Sequence, residues 1–362
     1  MKLVIFGLTV SSSWGNGHAT LWRGLLKAFA QRGHDVVFFE RDVPYYAEQR
    51  DMIQLPLGEL VLYSSWDDVL PLARQHLAEA DVGMVTSYCP DGPAASELVL
   101  QSNAALSVFY DLDAPVTLSR LSAGEAVGYL PPGGLGDFDL VLSYTGGDAL
   151  NQLQTRLGAR RVAPLFGSVD PNAHYPVAPV EQYRSSLSYL GTYAADRQRT
   201  LESLFVEPAG QLPARRFLIG GALYPASFPW TDNIHFKRHL PPNEHASFFC
   251  SSRITLNITR RAMADMGYCP SGRLFEAAAC GTPILSDTWE GLDDFFTPGS
   301  EILVASTADE AIAAIELPDA ALATIARAAR ERTLTEHTAE RRAAQLEEAL
   351  DAAYQTHTPV EI

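Results

Sequence analysis

Ser271-Gly-Arg273-Leu-Phe-Glu276-Ala-Ala-Ala-Cys-Gly281-Thr-Pro-Ile-Leu-Ser-Asp287 reads as a helix that runs into a strand, and Ile254-Thr-Leu-Asn257 before it reads as the strand that feeds the helix. Ser271 is a natural N-cap, because its hydroxyl oxygen can accept a backbone N–H of the first turn. The small run Ala277-Ala-Ala279 and Gly281 let the helix lie close on a sheet. A strand, a capped helix and a second strand make a βαβ unit, so the expected fold class is α/β with parallel strands.

The same stretch carries chemistry. N–H groups around Gly272, Arg273 and Leu274 open a helix beyond a strand end, where phosphates bind. Arg273, with Arg260 and Arg261 in Asn257-Ile-Thr-Arg-Arg261, adds fixed positive charge of the geometry that suits a diphosphate. Glu276, one turn into the helix, is placed to reach a ribose or sugar hydroxyl. The plain alternative is an ordinary βαβ unit with surface arginines.

Outward from here, short apolar runs alternate with amphipathic helical segments along the whole chain. Strands are expected at 3–6, 35–40, 60–63, 82–86, 106–110 and 140–143, then at 187–190, 217–219, 254–257, 284–286 and 302–304. Between the two series, Pro164, Gly167, Pro171, Pro176 and Pro179 crowd into a stretch without helical period, the signature of a linker. The reading is two doubly wound, Rossmann-like domains facing a cleft, residues 1–177 and 178–337, with a closing helix over about 338–356. Ligands of such sheets bind beyond the carboxyl ends of the strands.

Composition narrows the partners. A net charge of -16 over 362 residues argues against nucleic acid as the main partner, though a few arginines can still form a local phosphate site. Cys89, Cys250, Cys269 and Cys280 form no CxxC pair, which fits a reducing cytoplasm rather than a disulfide scaffold or zinc ribbon. The chain enters directly on an apolar strand, and no window approaches the roughly 18 apolar residues of a membrane span. We therefore expect neither a leader nor a span.

The first strand-end loop, Gly7-Leu-Thr-Val-Ser-Ser-Ser13-Trp-Gly-Asn16-Gly-His18-Ala-Thr20-Leu-Trp-Arg23, is far too long for a dinucleotide G-x-G-x-x-G turn, although Glu40 ends the second strand as that motif requires. Its hydroxyl, amide and cationic groups (Ser13, Asn16, Thr20, Arg23) suit a hydroxyl-rich acceptor. His18 at a helix start feels the positive end of the dipole, which favours the neutral imidazole of a general base; packing in the loop is the plain alternative. Asp111 and Asp113 leave the fifth strand as a D-x-D pair. With no third ligand nearby in sequence we expect no metal, and read the acids as orienting a histidine or binding acceptor hydroxyls; Asp113 could also cap the helix that Pro115 begins.

Arg273-Leu-Phe-Glu276-Ala-Ala-Ala-Cys-Gly281-Thr-Pro283 resembles the donor-binding motif of GT-B glycosyltransferases similar to family 4. Asn257-Ile-Thr-Arg260, Gly267-Tyr268 and Asp287-Thr-Trp-Glu-Gly-Leu292 are similar to the spore-maturation (CgeB-like) branch. The resemblance implies transfer of a sugar from a nucleotide diphosphate donor, UDP or dTDP, to an unidentified hydroxyl acceptor, with no cofactor and no metal. It implies that Glu276 contacts the donor ribose and that Arg197, after Gly191-Thr-Tyr, clamps the diphosphate. Tyr268 stands where that family has a further glutamate touching the transferred sugar, so sugar and stereochemistry stay open. In a retaining route the leaving diphosphate helps deprotonate the acceptor; in an inverting one His18 is the base and Asp111 orients it. The Glu276 motif, the more specific feature, favours retention. A nucleotide-sugar 2-epimerase and a transferase-like binding protein without turnover are the rival functions.

Overall fold

The protein is described here by a computed structural model covering residues 1–355. It forms two compact units, Met1–Phe166 joined by the chain from Ala339 onward, and Gly167–Thr338.

The first unit is built on seven strands: β1 (Lys2–Gly7), β2 (Asp35–Arg41), β3 (Glu59–Tyr63), β4 (Val82–Thr86), β5 (Leu106–Asp111), β6 (Leu140–Ser143) and β7 (Val162–Pro164). All pair in parallel in the order β3-β2-β1-β4-β5-β6-β7. Leu3, Val4, Ile5 and Phe6 of β1 are wholly buried, as expected of a parallel strand covered on both faces. The last helix, Ala339–Gln355, packs on the helix His18–Gln31. Arg32 Nε donates to Glu347 at 2.8 Å, and the His34 ring, stacked on Phe29 at 4.1 Å, meets the same carboxylate.

The second unit carries β8 (Leu187–Leu190), β9 (Phe217–Gly221), β10 (Ile234–Arg238), β11 (Thr255–Asn257), β12 (Ile284–Ser286) and β13 (Leu303–Val304), parallel in the order β10-β9-β8-β11-β12-β13. The architecture is two parallel-sheet Rossmann-like domains, as the alternation of runs predicts. Two strands escaped the sequence reading. β7 has three residues and ends on a proline, and β10 is an edge strand whose His235, Phe236, Lys237 and Arg238 are not buried, so neither shows an apolar run. Residues 195–211 form no single regular helix but a succession of 3-10, α, π and α turns. Pro208 cannot donate to the carbonyl four residues back, and the π turn Glu202–Val206 shifts the ladder just before it.

Strand order reverses once in each sheet, between β1 and β4 and between β8 and β11. Those switch points, at the carboxyl ends, are where chain diverges and a ligand can enter.

Candidate active site

At the β1/β4 switch point the loop after β1 is held by a residue behind it. Glu40, at the end of β2 and wholly buried, accepts from Thr9 Oγ1 at 2.7 Å, Val10 N at 2.8 Å, Ser11 N at 3.0 Å and Ser11 Oγ. The acid that a dinucleotide site would turn to a ribose is thus spent inside the protein. Ser12 Oγ donates to the Gln49 carbonyl, and Ser13 Oγ to Asp51 at 2.7 Å. Arg23 joins the same Asp51 through both terminal nitrogens and donates from Nε to the Val10 carbonyl at 2.9 Å. Ser13 and Arg23, read from sequence as acceptor contacts, therefore brace the loop. Asn16 accepts from His18 N at 3.0 Å and donates to the Thr9 carbonyl, fixing the turn that starts the helix. Thr20 Oγ1 lies 3.3 Å from the Gly17 carbonyl.

This bracing presents His18. Its Nε2 stands 3.7 Å from Asp113 Oδ1, and the rings of Tyr88 and Tyr144 lie 6.5 and 6.4 Å away. Asp113 occupies the N-cap position of the helix Ala114–Ser122, but its side chain makes no cap. Asp111 is wholly buried; Oδ1 accepts the Asp113 amide at 3.0 Å, while Oδ2 has no hydrogen-bond partner. Burial pushes its carboxyl up to about 6, against neighbouring dipoles that favour the charge. For His18, burial opposes the charged form, yet Asp113 and then Asp111 prevail and the imidazole pKa is raised. The helix dipole was expected to favour the neutral ring; two carboxylates at close range outweigh a half-charge. The partner of His18 is Asp113, where sequence reasoning had placed Asp111.

Sequence reasoning missed Tyr88. Among the described residues it is one of four non-glycine residues with positive φ, here 64°, in the turn that leaves β4. Nothing in Ser87-Tyr88-Cys89-Pro90 announces a left-handed tyrosine, because its backbone is set by tertiary bonds such as Ser87 N to the Tyr110 carbonyl.

At the β8/β11 switch point, Ser271 caps the helix Gly272–Ala279, its hydroxyl accepting from Arg273 N at 3.3 Å. Leu274 N is taken by the Ser271 carbonyl, so the cap itself engages two of the three N–H groups expected to face a phosphate. The Leu274 side chain is wholly buried. Arg273 donates from one nitrogen to Glu276 and to His245 Nδ1, the latter at 3.2 Å. Because His245 Nε2 donates to the Leu240 carbonyl, Nδ1 is an acceptor and the ring is neutral. Burial chiefly, and Arg273 next, press its pKa down to about 3. His174 lies on the other side, Nε2 3.9 Å from Glu276 Oε1, and burial lowers its pKa too. Burial alone would raise the Glu276 carboxyl; Arg273, His174 and His245 hold it instead at about 2.

Glu276 is only 4% exposed, so in this structure it is the partner of Arg273 rather than an open hydroxyl acceptor. Ligand atoms of His174, His245 and Glu276 lie within 4.8 Å of one another, a spacing that could hold a divalent ion. The Arg273 guanidinium already stands on two of the three as the local cation.

Arg197, in the turn after β8, points its guanidinium at Tyr189 Oη and the Thr192 carbonyl, both at 3.4 Å, and leaves Nε buried without a hydrogen bond. Asp196 beside it ties the loops after β8 and β11 together: Arg260 Nε and Arg261 N both donate to its Oδ2 at 3.3 Å. The Arg261 side chain pairs along its own short helix with Asp265 and is 76% exposed, so only its backbone serves this junction. A Cβ on Gly221 would fall 2.0 Å from the Gly191 carbonyl, so the backbones after β8 and β9 meet closely. Tyr268, at φ 47°, donates its N–H to the Glu290 carbonyl, and its ring lies against Gly291.

Residues 197–348 match a family model described as Glycosyl transferase-like. No curated protein matches the chain. Among solved structures, the chain is similar to a sucrose-phosphate synthase from Thermosynechococcus elongatus (16% identity over 98% of this chain and 100% of that one, TM-score 0.66). It is similar to HepE of Anabaena in complex with UDP-glucose (16%, 97% and 100%, 0.69) and to an alpha-glucosyltransferase in complex with UDP-glucose and DNA containing an abasic site (12%, 97% and 99%, 0.72). The chain shares the GT-B glycosyltransferase fold of these proteins over nearly its whole length.

Proposed function

We propose that the protein is a glycosyltransferase that takes a sugar from a nucleoside diphosphate donor, UDP or dTDP, and passes it to a hydroxyl-bearing acceptor. The observation that carries this reading is the β8/β11 switch point, where Arg197 follows β8, Arg260 follows β11 beside Asp196, and Arg273 opens the Ser271-capped helix. Their charge is of the kind that stabilises a departing diphosphate, so no divalent ion is required for binding. Glu276 holds Arg273; when the guanidinium turns to the diphosphate, the freed carboxylate accepts a ribose hydroxyl. Tyr268 faces the transferred sugar in place of the family's glutamate. The match of residues 197–348 and the UDP-glucose complexes of HepE and the alpha-glucosyltransferase support the same donor class.

The acceptor belongs to the first unit, at His18. The Arg273-Leu-Phe-Glu276 motif favours retention, with the diphosphate as base and His18 gripping a hydroxyl. The 3.7 Å pairing of His18 with Asp113 favours a second reading, inversion with His18 as base and Asp113 holding the imidazolium. The resemblance of 257–292 supports membership of the CgeB-like branch, and four cysteines outside any disulfide fit a reducing, cytoplasmic setting. At -16 the chain fits a small or carbohydrate acceptor better than a nucleic acid.

Thermal unfolding with UDP, dTDP, GDP and ADP, each with chelator present, tests the donor site. A rise with UDP or dTDP is expected, since ligand binding to the native state adds stability. Strict dependence on magnesium or manganese would defeat the metal-free reading, and no shift with any nucleotide would defeat the donor site. The anomer of the product, read by NMR, decides between retention and inversion.

A further inference from the structure

The groups that face His18 come from four places in the first unit. Asp111 ends β5 and Asp113 follows in the turn after it, Tyr88 stands in the turn after β4 and Tyr144 in the turn after β6, while Asn16 holds the backbone from its own loop. Tyr129 is the next group outward, 5.0 Å from the Tyr88 ring and hydrogen-bonded to Thr117. None of these facing groups is a lysine or arginine.

Tyr88 is out of place in this set. A bulky residue at φ 64° is strained, and such strain persists where the surroundings enforce it. Three contacts enforce it here: Ser87 N on the Tyr110 carbonyl, Cys89 N on the Thr86 carbonyl, and Ser87 Oγ accepting from Leu112 N at 2.9 Å. The last ties the tyrosine turn directly to the turn that carries Asp111 and Asp113. The result brings a half-buried phenol beside the Asp113 carboxylate and the imidazole.

We propose that Tyr88 is a positioning residue for the acceptor-side chemistry: its phenol shares the Asp113 carboxylate with His18 and so limits how strongly that carboxylate holds a proton on the imidazole. The left-handed backbone at Tyr88 is the conformation that delivers the phenol. Burial and the charge of Asp113 push the Tyr88 pKa well up, so the phenol stays protonated and acts as a donor to the carboxylate. The proposal rests on His18 as the acceptor-side group, but its test needs no turnover.

The test is an NMR titration of isotopically labelled histidine in the full chain, comparing wild type, Tyr88→Phe and Asp113→Asn. Tyr88→Phe keeps ring and backbone while removing the donor. Asp113 is then left wholly to the imidazolium, and the His18 midpoint should rise by at least about half a pH unit. Asp113→Asn should lower it. A Tyr88→Phe midpoint equal to or below wild type overturns the proposal, as does a wild-type His18 that does not titrate between about pH 5 and 9. The pH profile of UDP release from UDP-glucose, with water as acceptor, should show its acid limb displaced upward in Tyr88→Phe; an undisplaced limb in an active enzyme also counts against it. Failure of the transferase reading would appear separately, as absence of any nucleotide-induced stabilisation.

Discussion

Asp113 opens a helix without capping it, and its Oδ1 stands instead 3.7 Å from Nε2 of His18. A capping side chain is worth about 1 kcal/mol. The residue best placed to supply that stability is turned to a histidine at the switch point of the sheet, which is the usual direction of trade between stability and function.

Asp113→Asn should separate the two. The amide no longer holds an imidazolium and is free to cap the helix, so turnover falls about tenfold to a hundredfold while the melting temperature holds or rises. Steady-state rates and a thermal scan on one preparation measure both; a stability loss with normal turnover would show that the pairing is structural.

Removing Arg273 or Arg197 should weaken UDP binding by about 1.5–3 kcal/mol each, the worth of a charge-assisted hydrogen bond. Arg261→Ala should leave affinity nearly unchanged, because that side chain is engaged with Asp265 in solvent. Calorimetric titration with UDP checks the ranking, and equal losses for all three arginines would contradict the geometry.

The stability that His245 contributes should fall as pH falls from about 6.5, against an opposite contribution from Asp111, whose native carboxyl takes up its proton first. Buried neutral His245 has a pKa pressed down to about 3, so between there and its ordinary value the unfolded chain binds a proton that the native chain refuses. His174 acts in the same direction. Below about 4.5 Glu276, held at about 2, adds a second loss, since its carboxylate must be protonated in the unfolded chain first. His245→Gln can still donate to Leu240 and accept from Arg273, and should flatten the upper part of the slope by on the order of one proton. Denaturant midpoints across pH 4–7 give the measurement; an unchanged slope means that His245 is not buried neutral.

Glu40→Gln should cost about 2–4 kcal/mol of stability, because an amide cannot accept the four bonds of the Thr9, Val10 and Ser11 groups. UDP affinity should survive in the folded fraction, since the proposed donor site lies in the other unit. Urea unfolding and UDP titration on the same variant test this, and a variant as stable as wild type would show that the loop is held by something else.

Sequence by itself determined the sheets. Apolar runs of strand length, buried on both faces, are local signals, and so are Ser271 before a helix and a proline-crowded linker. The two strands it lost, β7 and β10, are edges that bury too little to leave a pattern. What only the tertiary structure decided is where each polar side chain spends its hydrogen bonds. Ser13 and Arg23 carry the composition of a sugar-binding loop, yet both are consumed by Asp51, which lies beyond the next strand. Asp111 and Asp113 are equivalent partners for His18 in sequence; burial and a backbone bond leave Asp113 to face it. His174 and His245 lie 102 and 31 residues before Glu276, so no spacing rule links them. Secondary structure is written in periodicity along the chain, whereas a polar site is written in which distant groups remain unpaired once the core has closed.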